Sequence, residues 1–330
     1  MNAKPTPPKT LTVHAQLEII PLSHDFSSER HEGMSVLQKS VLLGLGALLL
    51  CGNVAQADFI YVANAFNNTI VRFDSSGTQT VFANSGLATP QGLAFDANGN
   101  LYAANMGNGT IEEFDSSGHG SVYVQGFPAL SGPVGLAFDP SGNLYVGNTG
   151  NSTVTRCNSM GQLRYVSSGL DYPWGLACDS SGNLYVANAL NNTIERFVGR
   201  EQGSLFASTG LSQPGGLAFD HNGNLFVANT GNNTIEEFNS SGVGFVFANT
   251  GLNRPSGLAF DSAGNLYVAN SGNSTIEVFD SGGHGSVFAS GFRNPSFIAV
   301  LAVPEPATWA VVTLGLGGVF GLRRARSELS

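Results

Sequence analysis

A five-residue phrase, Leu-Tyr-Val-Ala-Asn, recurs with small changes six times in this 330-residue chain. Successive copies are 41, 43, 40, 41 and 41 residues apart, measured between the aromatic residues Tyr61, Tyr102, Tyr145, Tyr185, Phe226 and Tyr267. A period this steady indicates one structural unit that is copied along the chain. Any fold for this sequence must therefore be a ring or an array of units of this length.

Each unit contains four short apolar segments separated by turn residues. Strand A is of the type Gly92–Asp96, strand B is the recurring phrase, strand C resembles Thr234–Phe238, and strand D resembles Phe245–Ala248. Gly-Asn turns and a proline-containing connection separate them, and such residues favour tight turns. Four strands in about 41 residues predict one blade of a β-propeller.

The number of blades follows from counting strands. Strand B occurs six times, whereas the Gly-Leu-Ala type of strand A occurs only five times, at Gly92, Gly135, Gly175, Gly216 and Gly257. A sixth apolar strand, Phe297–Val300, follows the last unit and is also preceded by a proline. We therefore predict an all-β, six-bladed β-propeller over residues 58–302, closed by a C-terminal strand that completes the first blade and leaves no open edge.

The repeated pattern P-x-G-L-A-F-D-x-x-G-N-L-Y-V-A-N resembles the NHL-type propeller repeat. The resemblance implies a protein-binding or RNA-binding platform or, in related propellers, a lyase or lactonase with His, Glu or metal-binding carboxylates at the central channel. NHL repeats usually carry Asp after the Val-Ala pair. This chain instead has an amide there in all six copies, at Asn64, Asn105, Asn148, Asn188, Asn229 and Asn270, which weakens the case for a cation site.

The N-terminal region has the pattern of an export signal. Residues 1–33 are a leader, and residues 34–57 are a predicted signal peptide, with Lys39, the apolar run Ser40–Leu50 and a cleavage signal at Ala55–Ala57. We expect Met34 to be the start and the Sec machinery to be a partner during export; a genuine long leader is the alternative. Lipidation of Cys51 is less favoured, because Leu50 precedes it where a small residue is needed.

Residues 303–326 have three parts: a Pro-Glu-Pro motif at Pro304, Glu305 and Pro306, an apolar stretch 307–322, and a basic end that includes Arg323 and Arg324. This order resembles the PEP-CTERM sorting signal of Gram-negative bacteria. The resemblance implies a short transmembrane helix, processing by an exosortase, and delivery to the cell envelope, cell surface or extracellular matrix. Residues 327–330 form a tail, and an ordinary tail anchor is the alternative.

The charge balance excludes some classes of partner. Between residues 58 and 302 there are 10 Asp and 7 Glu against 7 Arg and no lysine, which gives a net charge of −10. Binding to phosphate backbones needs clustered cations, so we predict no nucleic-acid partner. Contact with a membrane is expected only through the C-terminal segment before processing.

The B–C loops are the candidate binding residues. All six carry an Asn-x-Ser/Thr triplet, which turn chemistry explains better than glycosylation, and together they would place a ring of amides on one face. The candidate ligand-binding residues are Asn67, Asn108, Asn151, Asn191, Asn232 and Asn273. Polysaccharide, peptide or a surface protein would be the ligand.

Other polar residues are interpreted as structural. The Asp that ends strand A, as at Asp96, precedes a turn and is expected to cap its own backbone. His119, His221 and His284 are expected in solvated turns, so we assign no catalytic residue, no metal site and no cofactor. One strand C position varies in charge and is predicted to form pairs between blades: Arg72, Glu113, Arg156, Arg196, Glu237 and Val278.

Cys157 and Cys178 each replace a repeated Phe in neighbouring blades. In an oxidising compartment the two losses suggest a disulfide; two buried free thiols are the alternative. The sequence as a whole favours a binding or structural module outside the cell, with a propeller lyase or lactonase as the competing function.

Overall fold

The computed structural model describes residues 56–304, apart from 127–128, 169 and 200–202. The predicted leader and the sorting segment beyond Pro304 lie outside the described residues, as does nearly all of the predicted signal peptide. Within the described part of the chain, no helix is long and apolar enough to cross a membrane.

The described residues form 24 strands in six four-stranded antiparallel sheets, which confirms the predicted six-bladed β-propeller. The strands are β1 (Gln56–Asn64), β2 (Thr69–Phe73), β3 (Gln79–Ala83), β4 (Pro90–Phe95), β5 (Leu101–Asn105), β6 (Thr110–Phe114), β7 (Gly120–Gln125), β8 (Pro133–Phe138), β9 (Leu144–Asn148), β10 (Thr153–Cys157), β11 (Leu163–Ser168), β12 (Pro173–Cys178), β13 (Leu184–Asn188), β14 (Thr193–Phe197), β15 (Ser204–Ala207), β16 (Pro214–Phe219), β17 (Leu225–Asn229), β18 (Thr234–Phe238), β19 (Gly244–Ala248), β20 (Pro255–Phe260), β21 (Leu266–Asn270), β22 (Thr275–Phe279), β23 (Gly285–Ser290) and β24 (Pro295–Pro304). A 3₁₀ turn, Ala65–Asn67, follows β1.

Blade 1 consists of β24, β1, β2 and β3, and blades 2 to 6 are the successive groups of four from β4–β7 to β20–β23. β1 pairs antiparallel with β24 from Gln56 opposite Pro304 to Asn64 opposite Pro295. The Asp58 carboxylate also accepts hydrogen bonds from the backbone N–H (3.0 Å) and hydroxyl (2.7 Å) of Ser262 in blade 6. The predicted closure by the C-terminal strand is therefore confirmed.

The core is divided among the six interfaces between neighbouring blades. Strand B is buried on both faces in every blade, which explains why its sequence is continuously apolar rather than alternating. Tyr61 and Ala63 of blade 1 pack in one cluster with Leu101 and Ala103 of blade 2, and the other five interfaces repeat this arrangement.

The A strands contact one another around the central axis. The strand A glycine makes this possible: a Cβ on Gly92 would collide with the carbonyl oxygen of Val134 in the next blade, and a Cβ on Gly135 would collide with that of Trp174. Because strands alternate in direction, the D–A connections and B–C loops lie at one end of the ring, which we call the mouth face. The A–B and C–D turns lie at the other end, the turn face.

Candidate functional site at the mouth face

The asparagine that ends strand B ties its strand to the D–A loop through both atoms of its amide group, an arrangement that we call the bracket. In blade 5, Asn229 is fully buried; its amide oxygen accepts from the Ser212 N–H (3.0 Å) and its amide nitrogen donates to the Gly210 carbonyl (2.8 Å). Asn105 and Asn270 make the same two contacts in their blades. A carboxylate could accept but not donate, so this bracket requires an amide where NHL repeats usually carry Asp.

The predicted ligand-binding asparagines lie in the B–C loops of the mouth face, as expected from their position. In five of the six, the amide oxygen accepts a hydrogen bond from the threonine two residues on, at 2.7 to 2.9 Å; the five are Asn108, Asn151, Asn191, Asn232 and Asn273. Asn67 ends the 3₁₀ turn in blade 1. The loop oxygens are thus engaged within their own turns, and ligand binding by this ring stays a prediction.

A second ring of residues surrounds the axis more closely. The residue before the strand A proline has a positive φ in every blade: Thr89 (48°), Gly132 (57°), Tyr172 (60°), Gln213 (47°), Arg254 (50°) and Asn294 (58°). Positive φ is uncommon outside glycine, and for a β-branched residue such as Thr89 it is strained. Asparagine side chains of the preceding blade hold three of these residues, as Asn233 accepts from the Arg254 N–H at 2.6 Å.

These positions were missed at the sequence level, although a signal was present. In an otherwise regular repeat, the residue before the strand A proline differs in every copy, and the residue after it is shared by only two copies: the flanking pairs are Thr-Gln, Gly-Val, Tyr-Trp, Gln-Gly, Arg-Ser and Asn-Ser. The repeated framework fixes their backbone while their side chains vary. Such a pattern is typical of a binding surface built on a rigid scaffold.

One part of this ring forms a cavity of about 290 Å³, which we call the mouth pocket. Tyr172 and Trp174 line it with ring centroids 5.6 Å apart and planes tilted by 30°. Leu190, whose side chain is 63% exposed, lines it together with Gln213 and Arg254. The pocket thus combines an aromatic pair with an amide and a guanidinium group, contributed by neighbouring blades.

The polar groups of the mouth pocket are well placed for a ligand. The indole Nε1 of Trp174 is buried and has no hydrogen-bond partner among the described residues, and a buried unpaired donor is costly. The Arg254 guanidinium makes no salt bridge with a described carboxylate. A ligand that offers hydrogen-bond acceptors could pair with the exposed Arg254 guanidinium.

Glutamates buried between blades were also missed. Glu112, Glu236 and Glu277 in strand C are each 5–6% exposed, and their carboxylates lie against the D–A loop glycines Gly86, Gly210 and Gly251. Burial raises the pKa of all three carboxyl groups. In blade 4, burial likewise raises the pKa of Glu195, and the Asn188 amide donates to its Oε1 at 3.3 Å. These side chains point into separate interfaces and do not converge on one site.

The turn face carries the residues interpreted as structural. The Asp96 carboxylate accepts from the backbone N–H groups of Asn98 (2.9 Å) and Asn100 (2.8 Å), which confirms that it caps its turn. His119 and His284 contact the aspartates of their own C–D turns and are exposed. Across the described residues, no group of three or more His, Cys, Asp or Glu side chains is arranged to hold a metal ion.

The predicted ion pairs between blades are wrong. Within the described ranges, the only salt bridges are the two His–Asp contacts in the C–D turns. The variable strand C residue instead lies beside the strand B aromatic of its own blade, as Arg72 pairs in register with Tyr61 and lies over the Phe59 ring at 5.1 Å. Strand pairing within a blade places this side chain, so the neighbouring blade is not its partner.

Cys157 and Cys178 are free thiols in the structure, which is the alternative to the predicted disulfide. Cys157 packs in the cluster between blades 2 and 3, whereas Cys178 packs against the cluster between blades 3 and 4. The two lost phenylalanines therefore belong to different interfaces. Burial, Asp139 and Asp179 raise the pKa of Cys178 to about 12, so its thiol is unreactive at neutral pH.

The model of the NHL repeat matches residues 130–157 and 252–279, which cover strands A to C of blades 3 and 6. The chain therefore contains NHL repeats. The comparison with curated proteins gives no match.

Several solved structures are similar to the whole ring. A chain from a nidogen/laminin complex has a TM-score of 0.65 at 20% identity, covering 74% of this chain and 98% of its own. A virginiamycin B lyase from Staphylococcus aureus has 0.59 at 18%, covering 74% and 88%. A gluconolactonase from Xanthomonas campestris has 0.57 at 19%, covering 66% and 84%. At such identities the likeness concerns the fold alone.

Proposed function

We propose that this chain is an exported, non-enzymatic propeller that binds a glycan, peptide or protein through its mouth face. The observation that carries the proposal is the mouth pocket, where the variable residues Tyr172, Trp174, Gln213 and Arg254 converge on one cavity. The repeated residues around it are engaged in the scaffold. Binding chemistry therefore resides in the few positions that the repeat leaves free to vary.

The composition of the pocket suits a ligand with both apolar and polar surfaces. Tyr and Trp offer a large apolar ring with one polar tip, and such residues are enriched at recognition surfaces. Arg254 supplies hydrogen-bond donors beside this ring pair. Sugars and peptides present alternating C–H surface and oxygen acceptors, which match this arrangement.

The structural likenesses leave room for both classes of function. One similar chain comes from a complex of nidogen and laminin, which supports the use of such a ring for protein recognition. Two others are enzymes, a lyase and a lactonase. The binding function is favoured because His119, His221 and His284 all lie on the turn face, away from the mouth pocket.

The experiment is retention of extracellular polymer and arrayed glycans by purified residues 56–304, which contain all six sheets and core clusters. Specific retention by the parent that is lost in Trp174→Ala supports the mouth pocket. Asn232→Ala is the second variant. If retention is lost in this variant instead, the ligand binds at the B–C loop ring. No retention, together with turnover of a lactone or uronate polymer, would favour the lyase or lactonase and overturn the proposal.

Delivery to the cell surface or extracellular matrix of a Gram-negative bacterium is part of the same proposal. It rests on the signal-peptide pattern at residues 34–57 and the sorting segment at 303–326. Replacing Pro304, Glu305 and Pro306 by alanine should retain the full chain in the membrane fraction of a host that contains an exosortase. Unchanged release into the medium would show that the segment does not direct sorting.

A further inference from the structure

The interface between blades 3 and 4 departs from the repeated packing. Five blades place a strand D aromatic edge-on against the strand B aromatic of the same blade, with ring centroids 4.9 to 5.1 Å apart; the strand D residues are Phe82, Tyr123, Phe206, Phe247 and Phe288. Blade 3 has Val166 at this position. The strand B aromatic of blade 3, Tyr145, has therefore lost one ring partner.

The same tyrosine has lost a second partner from the neighbouring blade. In four other interfaces the strand B aromatic also contacts the strand A phenylalanine of the next blade, as Tyr102 contacts Phe138 at 5.0 Å. At this interface Cys178 takes that place. Two large rings are thus replaced by small side chains around Tyr145, and a cavity of about 190 Å³ lies beside it.

Two arginines on adjacent strands line the cavity. Arg156 pairs in register with Tyr145 on one side and with Arg164 on the other, so the three side chains lie in one row across β9, β10 and β11. In the other blades the strand D residue of this row is Thr, Ser or Phe. Like charges directly opposite each other on adjacent strands are destabilising.

Nothing in the described part of the chain neutralises this pair. No salt bridge with a described carboxylate involves Arg156 or Arg164, although the chain is acidic as a whole. Asp139 contacts this row through Tyr145, whose hydroxyl donates to its carboxylate at 3.4 Å, and it caps its own turn. Paired guanidinium groups at a cavity are the arrangement that binds an oxyanion.

We propose that this cavity binds the carboxylate or sulfate group of an acidic sugar. Arg156 and Arg164 would hold the oxyanion. Tyr165, which lines the cavity and is 58% exposed, offers a ring against which the apolar face of the sugar packs. The small side chains of Val166 and Cys178 leave the space that the sugar would occupy. The site is separate from the mouth pocket and does not depend on the function proposed for it.

The test is isothermal titration of residues 56–304 with three probes: trigalacturonate, neutral maltotriose and sodium sulfate. We expect trigalacturonate to bind, sulfate to bind more weakly, and maltotriose not to bind. Arg156→Gln should weaken trigalacturonate binding about tenfold or more, the loss of one charge-assisted contact of about 1.4 kcal/mol. Val166→Phe, which restores the residue of four other blades, should abolish binding while the thermal midpoint stays equal or rises.

Arg196→Gln is the matched control. Arg196 occupies the same strand C position in blade 4, but its cross-strand partner is Ser204 and Phe206 fills the equivalent space. This variant should bind trigalacturonate as the parent does. Equal weakening by Arg156→Gln and Arg196→Gln, or unchanged binding by folded Val166→Phe, would overturn the site. Binding of sulfate without trigalacturonate would overturn its assignment to a sugar.

Discussion

Replacing Asn188 by Asp tests whether the strand B asparagine is required because a glutamate lies beside it. The Asn188 amide nitrogen donates to Glu195 Oε1 and to Thr193 Oγ1, both at 3.3 Å. In Asn188→Asp an oxygen takes the place of that nitrogen. Two carboxylates would then face each other at about the same distance, one at the fully buried position 188 and the other at the half-buried Glu195.

Two estimates bound the loss of folding free energy in Asn188→Asp. At an effective dielectric constant of about 20, two unit charges 3.3 Å apart repel by about 5 kcal/mol. The pair can avoid this repulsion by retaining one proton, which at pH 7 costs about 3.5 kcal/mol for a carboxyl of ordinary pKa near 4.3. The smaller limit governs, so Asn188→Asp should lose about 3 kcal/mol at pH 7. At pH 5 the proton costs only about 1 kcal/mol, and the loss should shrink accordingly.

Asn64→Asp in blade 1 is the matched control. Asn64 ends strand B in the same way and its Oδ1 accepts from the Arg293 N–H at 2.7 Å, which Asp can also do. The strand C residue equivalent to Glu195 is Val71, so no second carboxylate is created. We expect this variant to lose about 1 kcal/mol or less, with little dependence on pH between 5 and 7.

The assay is thermal unfolding of residues 56–304 by circular dichroism at pH 7 and pH 5. For a domain of this size, each kcal/mol shifts the midpoint by about 2–4 °C. The double variant Asn188→Asp with Glu195→Gln should recover most of the pH 7 loss, because only one carboxylate remains. Equal losses in Asn188→Asp and Asn64→Asp, or a loss that does not shrink at pH 5, would refute the reasoning.

Three further expectations concern the core and the thiols. Phe238→Ala removes a fully buried ring from the interface of blades 4 and 5 and should cost about 3–5 kcal/mol, measured by urea unfolding. Burial raises the pKa of Glu236, so folding favours its protonated form and stability should fall as pH rises above the ordinary carboxyl pKa. Glu236→Gln should therefore raise the midpoint at pH 7 and leave it nearly unchanged at pH 4; a rise of equal size at both would contradict this. Cys157 and Cys178 should both react with iodoacetamide only after denaturation, checked by mass spectrometry with and without reductant; a denatured, unreduced protein that resists alkylation would demonstrate the disulfide instead.

The fold was predictable from the sequence because every blade is encoded by its own copy of the same repeat. Each copy of the strand B phrase sets one blade, and the missing first strand A, supplied by Phe297–Val300, could come only from the other end of the chain. The burial of strand B on both faces also follows from its unbroken apolar sequence. A six-bladed closed ring is the arrangement that satisfies all of these features together.

The candidate site was only partly predictable. The sequence pointed to the mouth face through the B–C loop asparagines, but it could not show that amide oxygens such as that of Asn232 accept hydrogen bonds within their own turns. The predicted ion pairs between blades do not form among the described residues, and spacing along the chain could not reveal this because it does not say which side of a strand faces which blade. Tyr172 and Trp174 meet Arg254 only because the A strands converge on one axis, a contact between separate repeats that no single repeat encodes.

In a repeat protein, scaffold positions can be distinguished from functional positions by how many repeats carry the same residue. Positions that are the same in five or six blades are those whose groups bond within the ring, such as the strand B asparagine and the strand A aspartates. Positions that vary between blades have no scaffold reason to vary. On this argument the two places where function should reside are the residues flanking the strand A prolines and the Val166–Cys178 interface. The cavities at the mouth and between blades 3 and 4 lie at these two places.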